Sequence, residues 1–308
     1  MHTIHPCAPG ALPGDSAVAL GYFDGVHIGH RAVLRAAVDA ALRGGLTPAA
    51  FTFTLAHGGA GKGKAILTAR EKLRRMEACG IEAALCPPFE EFCMLSPEQF
   101  VEEVLVRALR AKQVFSGDDF TFGTHKSGNA ALLRELCARR GVAAHIVPTC
   151  IEQGAPVSST RIRRHLEAGE MERANALLGE AYAVTLPVRR GRGLGHTLGF
   201  PTINQTFPEE MTVPRLGVYV SETFLGGAWR PSVTGLGARP TVSDAGDVTC
   251  ETFIPDFSGD VYGDTVQVRL RHYLWETKKY PSLDALADMV RRAAAEAARY
   301  FAGAGAQG

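Results

Sequence analysis

The first half of the chain alternates short apolar runs with longer stretches whose apolar residues recur every three or four positions. Residues 16–21 predict a strand. Residues 31–42 predict a helix that carries Val33, Leu34, Ala37, Val38, Ala41 and Leu42 on one face and stops at Gly44 and Gly45. A strand at 49–55 and a helix at 68–79, ended by Gly80, come next. Further strands are predicted at 83–86, 113–116 and 144–148, with helices at 97–110 and 129–140 between them. Strands that alternate with helices pair in parallel through right-handed crossovers, so this half predicts a doubly wound, Rossmann-like α/β sheet.

Two more helices, 158–166 and 170–178, end at Gly169 and Gly179. Beyond residue 181 the pattern changes to short alternating runs punctuated by Gly and Pro, at 183–188, 217–224, 230–236, 249–254 and 265–274. That spacing predicts a small antiparallel β-barrel or sandwich. A closing helix at 282–300 would turn Leu283, Leu286, Met289 and Val290 inward. The expected division is an α/β domain over 1–180 and a β domain over 181–308. The 308 residues agree with it, at roughly ~150 per domain.

Lys and Arg total 33 against 32 Asp and Glu, a formal charge of +1. Nucleic-acid binders normally carry a basic excess, so no nucleic-acid partner is expected, although a local phosphate pocket is allowed. Charged residues at 21% and hydrophobic residues at 46% exclude wholesale disorder. No apolar run reaches the ~18 residues of a membrane span. Residues 1–15 lack the basic start and apolar core of a secretory leader. The seven cysteines include no Cys-x-x-Cys pair, and Cys79, Cys86 and Cys93 recur at a spacing foreign to metal sites. They read as reduced thiols in a cytoplasmic protein. Nothing in the pattern fixes an oligomeric state.

Chemistry gathers in two places. The segment GYFDGVHIGH, residues 21–30, joins the first strand to the first helix. A helix N-terminus there offers free N–H groups and a positive dipole, a natural phosphate site. Gly21, Gly25 and Gly29 admit close backbone approach, and His27 and His30, three apart, would face one anion. The spacing is that of the HxGH motif of nucleotidylyltransferases, in which an ionised phosphate attacks the α-phosphorus of a nucleoside triphosphate. Such a reaction needs positioning and charge neutralisation rather than a base. Downstream, Ser158, Ser159, Thr160 and Arg161 place hydroxyls and a cation at a helix start. The stretch 58–64 imitates a P-loop, but Ala65 stands where the magnesium-binding hydroxyl belongs, and a surface loop is the better reading.

The second place is GRGLGHTLGFPTIN, residues 191–204. Gly191, Gly193 and Gly195 suit a loop that wraps phosphates with backbone N–H groups. Pro201 opens an extended segment on which Thr202 and Asn204 share a face, two hard oxygen donors suited to Mg²⁺ on a nucleotide. Glu251 lies on a strand with Thr249 and Phe253 on its side. Periodicity alone makes it an ordinary solvent-facing carboxylate.

Taken together, the HxGH turn, the SSTRIR helix start (158–163), GFPTIN (199–204) and the strand Glu resemble the bacterial bifunctional riboflavin kinase/FMN adenylyltransferase family. GDDFTFG (117–123), GVY (217–219), GARPT (237–241) and FSGDVYG (257–263) match as well, and the resemblance runs from about residue 17 to about residue 300. It implies a nucleotidyltransferase-like first domain and a riboflavin kinase barrel. The barrel would phosphorylate riboflavin with ATP, with Thr202 and Asn204 on Mg²⁺-ATP, Gly191 to Gly199 on the phosphates and Glu251 as general base. The first domain would transfer AMP from a second ATP to FMN. There Gly21, Phe23, Asp24, Gly25, His27, Gly29, His30, Ser158, Ser159, Thr160 and Arg161 would bind the triphosphate, with Asp119 and Phe120 near the flavin. Departures from the family pattern fall at 53–57, where Pro-His-Pro is missing and His57 is displaced, and at Tyr22, His196 and Trp275. They leave open a chain that keeps only the kinase activity, or a flavin-binding regulatory protein on the same scaffold.

Overall fold

The structure is a computed structural model that describes residues 1–4, 12, 14–55, 63–191, 200–238, 248–277 and 280–304. The chain forms two compact units, Met1–Ser159 and Thr160–Gly308.

The first unit is built on six parallel strands: β1 (His2–Ile4), β2 (Ser16–Leu20), β3 (Thr47–Phe51), β4 (Ala83–Leu85), β5 (Ala111–Gly117) and β6 (Ala143–Val147). Their order is β1-β4-β3-β2-β5-β6, so the chain reverses its direction of travel between β2 and β5. Ligands of such sheets bind outside the strand exits at that reversal. Helix α1 (Ile28–Gly44) buries Val33, Leu34, Ala37, Ala40 and Ala41, and Gly45 ends it in the left-handed region. Leu42, expected on the buried face, is instead 73% exposed, because it lies ~100° around the helix from Ala41. Helix α2 (Ala69–Ala78) is capped by Thr68, whose side chain accepts the N–H of Glu71 at 3.2 Å. The helix expected at 97–110 begins as α3 (Pro97–Gln99) and widens into a π-helical stretch over Phe100–Ala108. Phe100, Val101, Val104, Leu105 and Ala108 still face the core. Helix α4 (Ala130–Ala138) starts on an Asn129 cap, and Ile151–Glu152 (β7) pairs with Ala155–Pro156 (β8) in a small hairpin.

The second unit opens with α5 (Ser159–Ala168), whose first residue closes the first unit, and α6 (Met171–Leu178). Asn175 ties α6 to the sheet, its Nδ2 donating to Leu270 O at 3.1 Å and its Oδ1 accepting from Tyr182 N at 2.7 Å. Six antiparallel strands follow: β9 (Tyr182–Pro187), β10 (Thr202–Thr206), β11 (Gly217–Leu225), β12 (Ala228–Ala238), β13 (Val248–Phe253) and β14 (Thr265–Trp275). They run in the order β10-β13-β12-β11-β14-β9. The sheet curls until its two ends meet: Arg189 N donates to Asn204 O at 2.7 Å, and buried Gln205 Nε2 donates to Leu186 O and Val266 O. Inside the curl, Ser221, Thr223, Ser232, Thr234 and Thr252 satisfy one another at 2.8–2.9 Å. The opposite face presents Val218, Val220 and Val233 to helix α7 (Leu283–Ala304). Ala293 and Ala297 meet those valines, while Leu283, expected to turn inward, is 52% exposed in the first turn, outside the alanine contact. Among the described residues no helix is long and apolar enough to cross a membrane.

Candidate active sites

Past β2 the backbone turns tightly before α1, with Phe23 at φ 53°, Gly25 at φ 83° and Val26 at φ 45°. Left-handed conformations are sparsely populated by residues other than glycine and persist where the surroundings enforce them. Enforcement is visible here. Asp24, 2% exposed, accepts Ile66 N–H on Oδ1 at 2.9 Å, and its carbonyl accepts the Ser159 hydroxyl at 2.9 Å. Arg31 Nε donates to Val26 O at 3.0 Å. The turn delivers His27 as the N-cap of α1, where Nδ1 accepts the His30 backbone N–H at 3.2 Å. The two imidazoles stack with centroids 3.5 Å apart and 16° between planes, and Phe23 meets the edge of His30 at 5.4 Å. Gly21 and Gly29 lie at the two ends of this segment.

Burial lowers the pKa of His27 from 6.5 to about 4. The neutral ring, with Nδ1 occupied as an acceptor, carries its proton on Nε2 and presents it as a donor. A sign follows for stability. Between about pH 6.5 and 4 the unfolded chain takes up a proton on this ring that the folded chain refuses, so stability falls as pH falls through that window. His27→Asn keeps a capping acceptor and removes the titration. Urea unfolding across that range should show a shallower loss of stability than in the parent, and an identical slope would contradict the assignment.

The remaining expected residues of this site lie as follows. Ser158 and Ser159 are partly exposed at the start of α5, and Thr160 and Arg161 are its next two residues, in the second unit. Asp119 and Phe120 follow β5, the strand paired with β2 at the reversal. Asp119 is exposed, whereas Phe120 lies parallel to Phe122 at 5.8 Å and packs on the aromatic core with Tyr22.

In the second unit, Thr202 and Asn204 share one face of β10, between buried Ile203 and Gln205. Asn204 Nδ2 donates to Thr202 O at 3.3 Å, which turns the amide oxygen the other way. The strand register sets Asn204 directly opposite exposed Glu251 of β13, and Thr202 opposite Phe253. The row continues across the sheet through Gly235 and Val218 to Trp275. At ~4.8 Å per strand, about 14 Å of sheet separates Glu251 from Trp275. A Cβ on Gly235 would meet only the Glu251 carbonyl, at 3.8 Å, so the space over Gly235 is open. Gly191 packs flat on Asn204, where a Cβ would fall 2.6 Å from Cγ. Pro201 is exposed at the mouth of β10. Gly193, Gly195 and Gly199 lie outside the described residues, as do His57, His196 and most of the P-loop-like stretch 58–64. The hydroxyl and amide oxygens at 202 and 204 are hard donors of the kind Mg²⁺ takes beside nucleotide phosphates, so the residues present fit that ion.

A family model described as FAD synthetase matches residues 11–161, and one described as riboflavin kinase matches residues 178–301. The bifunctional riboflavin kinase/FMN adenylyltransferase of Escherichia coli K12 is 34% identical over 290 residues, 92% of each chain. The chain belongs to the bifunctional riboflavin kinase/FMN adenylyltransferase family. Its relative of that name in Bacillus subtilis 168 is 32% identical over 98% of each chain. Among solved structures, a Streptococcus pneumoniae chain described as a macrolide-efflux protein superposes with TM-score 0.83 at 30% identity, over 95% of this chain and 97% of that one.

The kinase and adenylyltransferase matches fall on the two sites just described, and the protein is an enzyme of FAD biosynthesis with ATP and flavins as substrates. At the far end of the row a guanidinium meets the indole, since Arg292 of α7 lies 5.1 Å over the Trp275 ring. Sequence reading missed this pairing, and also Arg291, which lies 5.8 Å over the ring of Phe200 beside Phe253. The sequence signal was the adjacent Arg291–Arg292 pair on the closing helix.

Proposed function

We propose that the histidine turn carries adenylyl transfer and the Asn204–Glu251 row carries the kinase reaction, with the domain change near residue 180. In the kinase step the ribityl 5′-hydroxyl oxygen attacks the γ-phosphorus of ATP, Glu251 takes the hydroxyl proton, and ADP leaves. Thr202 and Asn204 would hold Mg²⁺, which neutralises phosphate charge when bound, and Gly191 to Gly199 would wrap the phosphates. The observation that carries this reading is the register that sets Glu251 opposite Asn204. The open space over Gly235 lies directly beside Glu251, whereas Val218, next along the row, is covered by α7.

In the second step an FMN phosphate oxygen attacks the α-phosphorus of another ATP and pyrophosphate leaves. Neutral His27 donates from Nε2 and His30 lies stacked on it, so both imidazoles meet the triphosphate where charge builds. Ser158, Ser159, Thr160 and Arg161 would complete the clamp with Gly21, Phe23, Asp24, Gly25 and Gly29, and Asp119 with Phe120 would border the flavin. Asp24 serves this site through its backbone and its bond to Ile66, as the brace of the turn. The near balance of 33 basic and 32 acidic residues supports small-molecule partners over a polyanion. Dependence on ATP supports a cytoplasmic setting.

Incubation of the protein with riboflavin, ATP and Mg²⁺, followed by chromatography, tests the whole reading. FMN should appear first and FAD after it. FMN that accumulates with no FAD would leave a kinase alone, and flavin bound with no nucleotide consumed would leave a binding protein.

A further inference from the structure

Lys72 projects from α2 into the first unit and is 4% exposed. An ammonium has three N–H donors and no acceptor. Nζ lies 2.7 Å from Phe53 O, 3.0 Å from Thr52 Oγ1 and 3.2 Å from Tyr22 O, so each donor has its own acceptor. The Thr52 hydroxyl passes its own hydrogen to Tyr22 O at 2.8 Å. The Tyr22 ring lies 4.7 Å from Nζ and stacks on Phe53 at 4.8 Å. One buried side chain thus joins the exits of two neighbouring strands. Tyr22 belongs to the turn that ends at the histidine pair, and Thr52 and Phe53 are the first residues past β3.

Taking a charge out of water is expensive, and a well-packed apolar side chain of similar length fills such a space without that penalty. A lysine here is explained by geometry rather than by stability. Where strands end, backbone carbonyls lose their ladder partners. The ammonium gathers two of them and a hydroxyl into one fixed arrangement, immediately ahead of the left-handed residues Phe23, Gly25 and Val26. The geometry points to Lys72 as a positioning residue for adenylyl transfer. It fixes Tyr22, and through it the turn that sets the His27 and His30 imidazoles, and it touches no substrate itself. This inference rests on the assignment of adenylyl transfer to the histidine turn.

The test uses the full chain with Lys72→Met and, separately, Thr52→Val, a near-isosteric change that removes one of the three acceptors and the bond to Tyr22. FAD formation from FMN is followed at varied ATP, with riboflavin phosphorylation measured alongside. Small misplacements of catalytic groups act on turnover, up to about 10²-fold. Expected are a kcat for FAD formation lower by about tenfold or more in Lys72→Met and by a smaller factor in Thr52→Val. KM for ATP and the kinase rate should stay near the parent values. A lower melting temperature with unchanged kcat would reduce Lys72 to a structural brace and overturn the proposal. Should Lys72→Met fail to fold, Thr52→Val decides alone, and an unchanged kcat there overturns it. A parent that makes no FAD would instead refute the assignment of the histidine turn. A parent that makes FAD at the rate of both variants refutes only the role of Lys72.

Discussion

Glu251→Gln and Glu251→Ala are expected to reduce riboflavin phosphorylation by about 10³-fold while supplied FMN is still converted to FAD at the parent rate. Removal of a general base typically lowers the rate by 10²–10⁴-fold. Glu251 is well placed for a clean result, because it is exposed on β13 and its loss opens no cavity. The side chain across from it, Asn204, is held by its own contact to Thr202. A variant that phosphorylates riboflavin at the parent rate would end the base assignment, and the proton acceptor would then have to be sought elsewhere along the same row.

His30→Ala should show the opposite pattern, with FAD formation lower by about 10²–10³-fold and FMN formation from riboflavin unchanged. Preorganised donors aimed at developing charge contribute on that scale. The truncation removes the His30 imidazole together with its stack on His27 and its edge contact to Phe23. The backbone N–H that His27 accepts remains, so the helix cap survives. Steady-state rates with FMN and riboflavin as alternative substrates measure both halves in one preparation. Equal loss in both would indicate damage beyond the histidine turn.

The alternation of strand and helix announced the parallel sheet, and the capping residues Thr68, Asn129 and Gly179 marked helix ends where the structure has them. The histidine turn was equally readable, since its residues are neighbours in the chain. Glu251 was not. A single strand displays an alternating face but not what lies opposite it, and pairing with Asn204 is a property of register. Lys72 was hidden for a similar reason. In the charged run of α2 it looks like any solvated lysine, and only the acceptors at Tyr22, Thr52 and Phe53, which meet it in space, show it to be buried. Leu42 and Leu283 mark the opposite error, where hydrophobic identity was taken for burial near helix ends that extend past the packed core. The tie between α6 and strands β14 and β9 was also invisible to pattern, because it runs through Asn175, a residue with no periodic signature.

His27 enters its work uncharged, with one ring nitrogen committed to the helix cap. A neutral group exerts no pull on a distant anion, so in the proposed adenylyl transfer this imidazole would contribute only after ATP has arrived. Capture from solution falls to permanent cations such as arginine, whose reach shrinks as ionic strength rises. On the proposed assignment, salt will therefore slow the arrival of nucleotide without weakening the hydrogen bond that His27 would give it once seated.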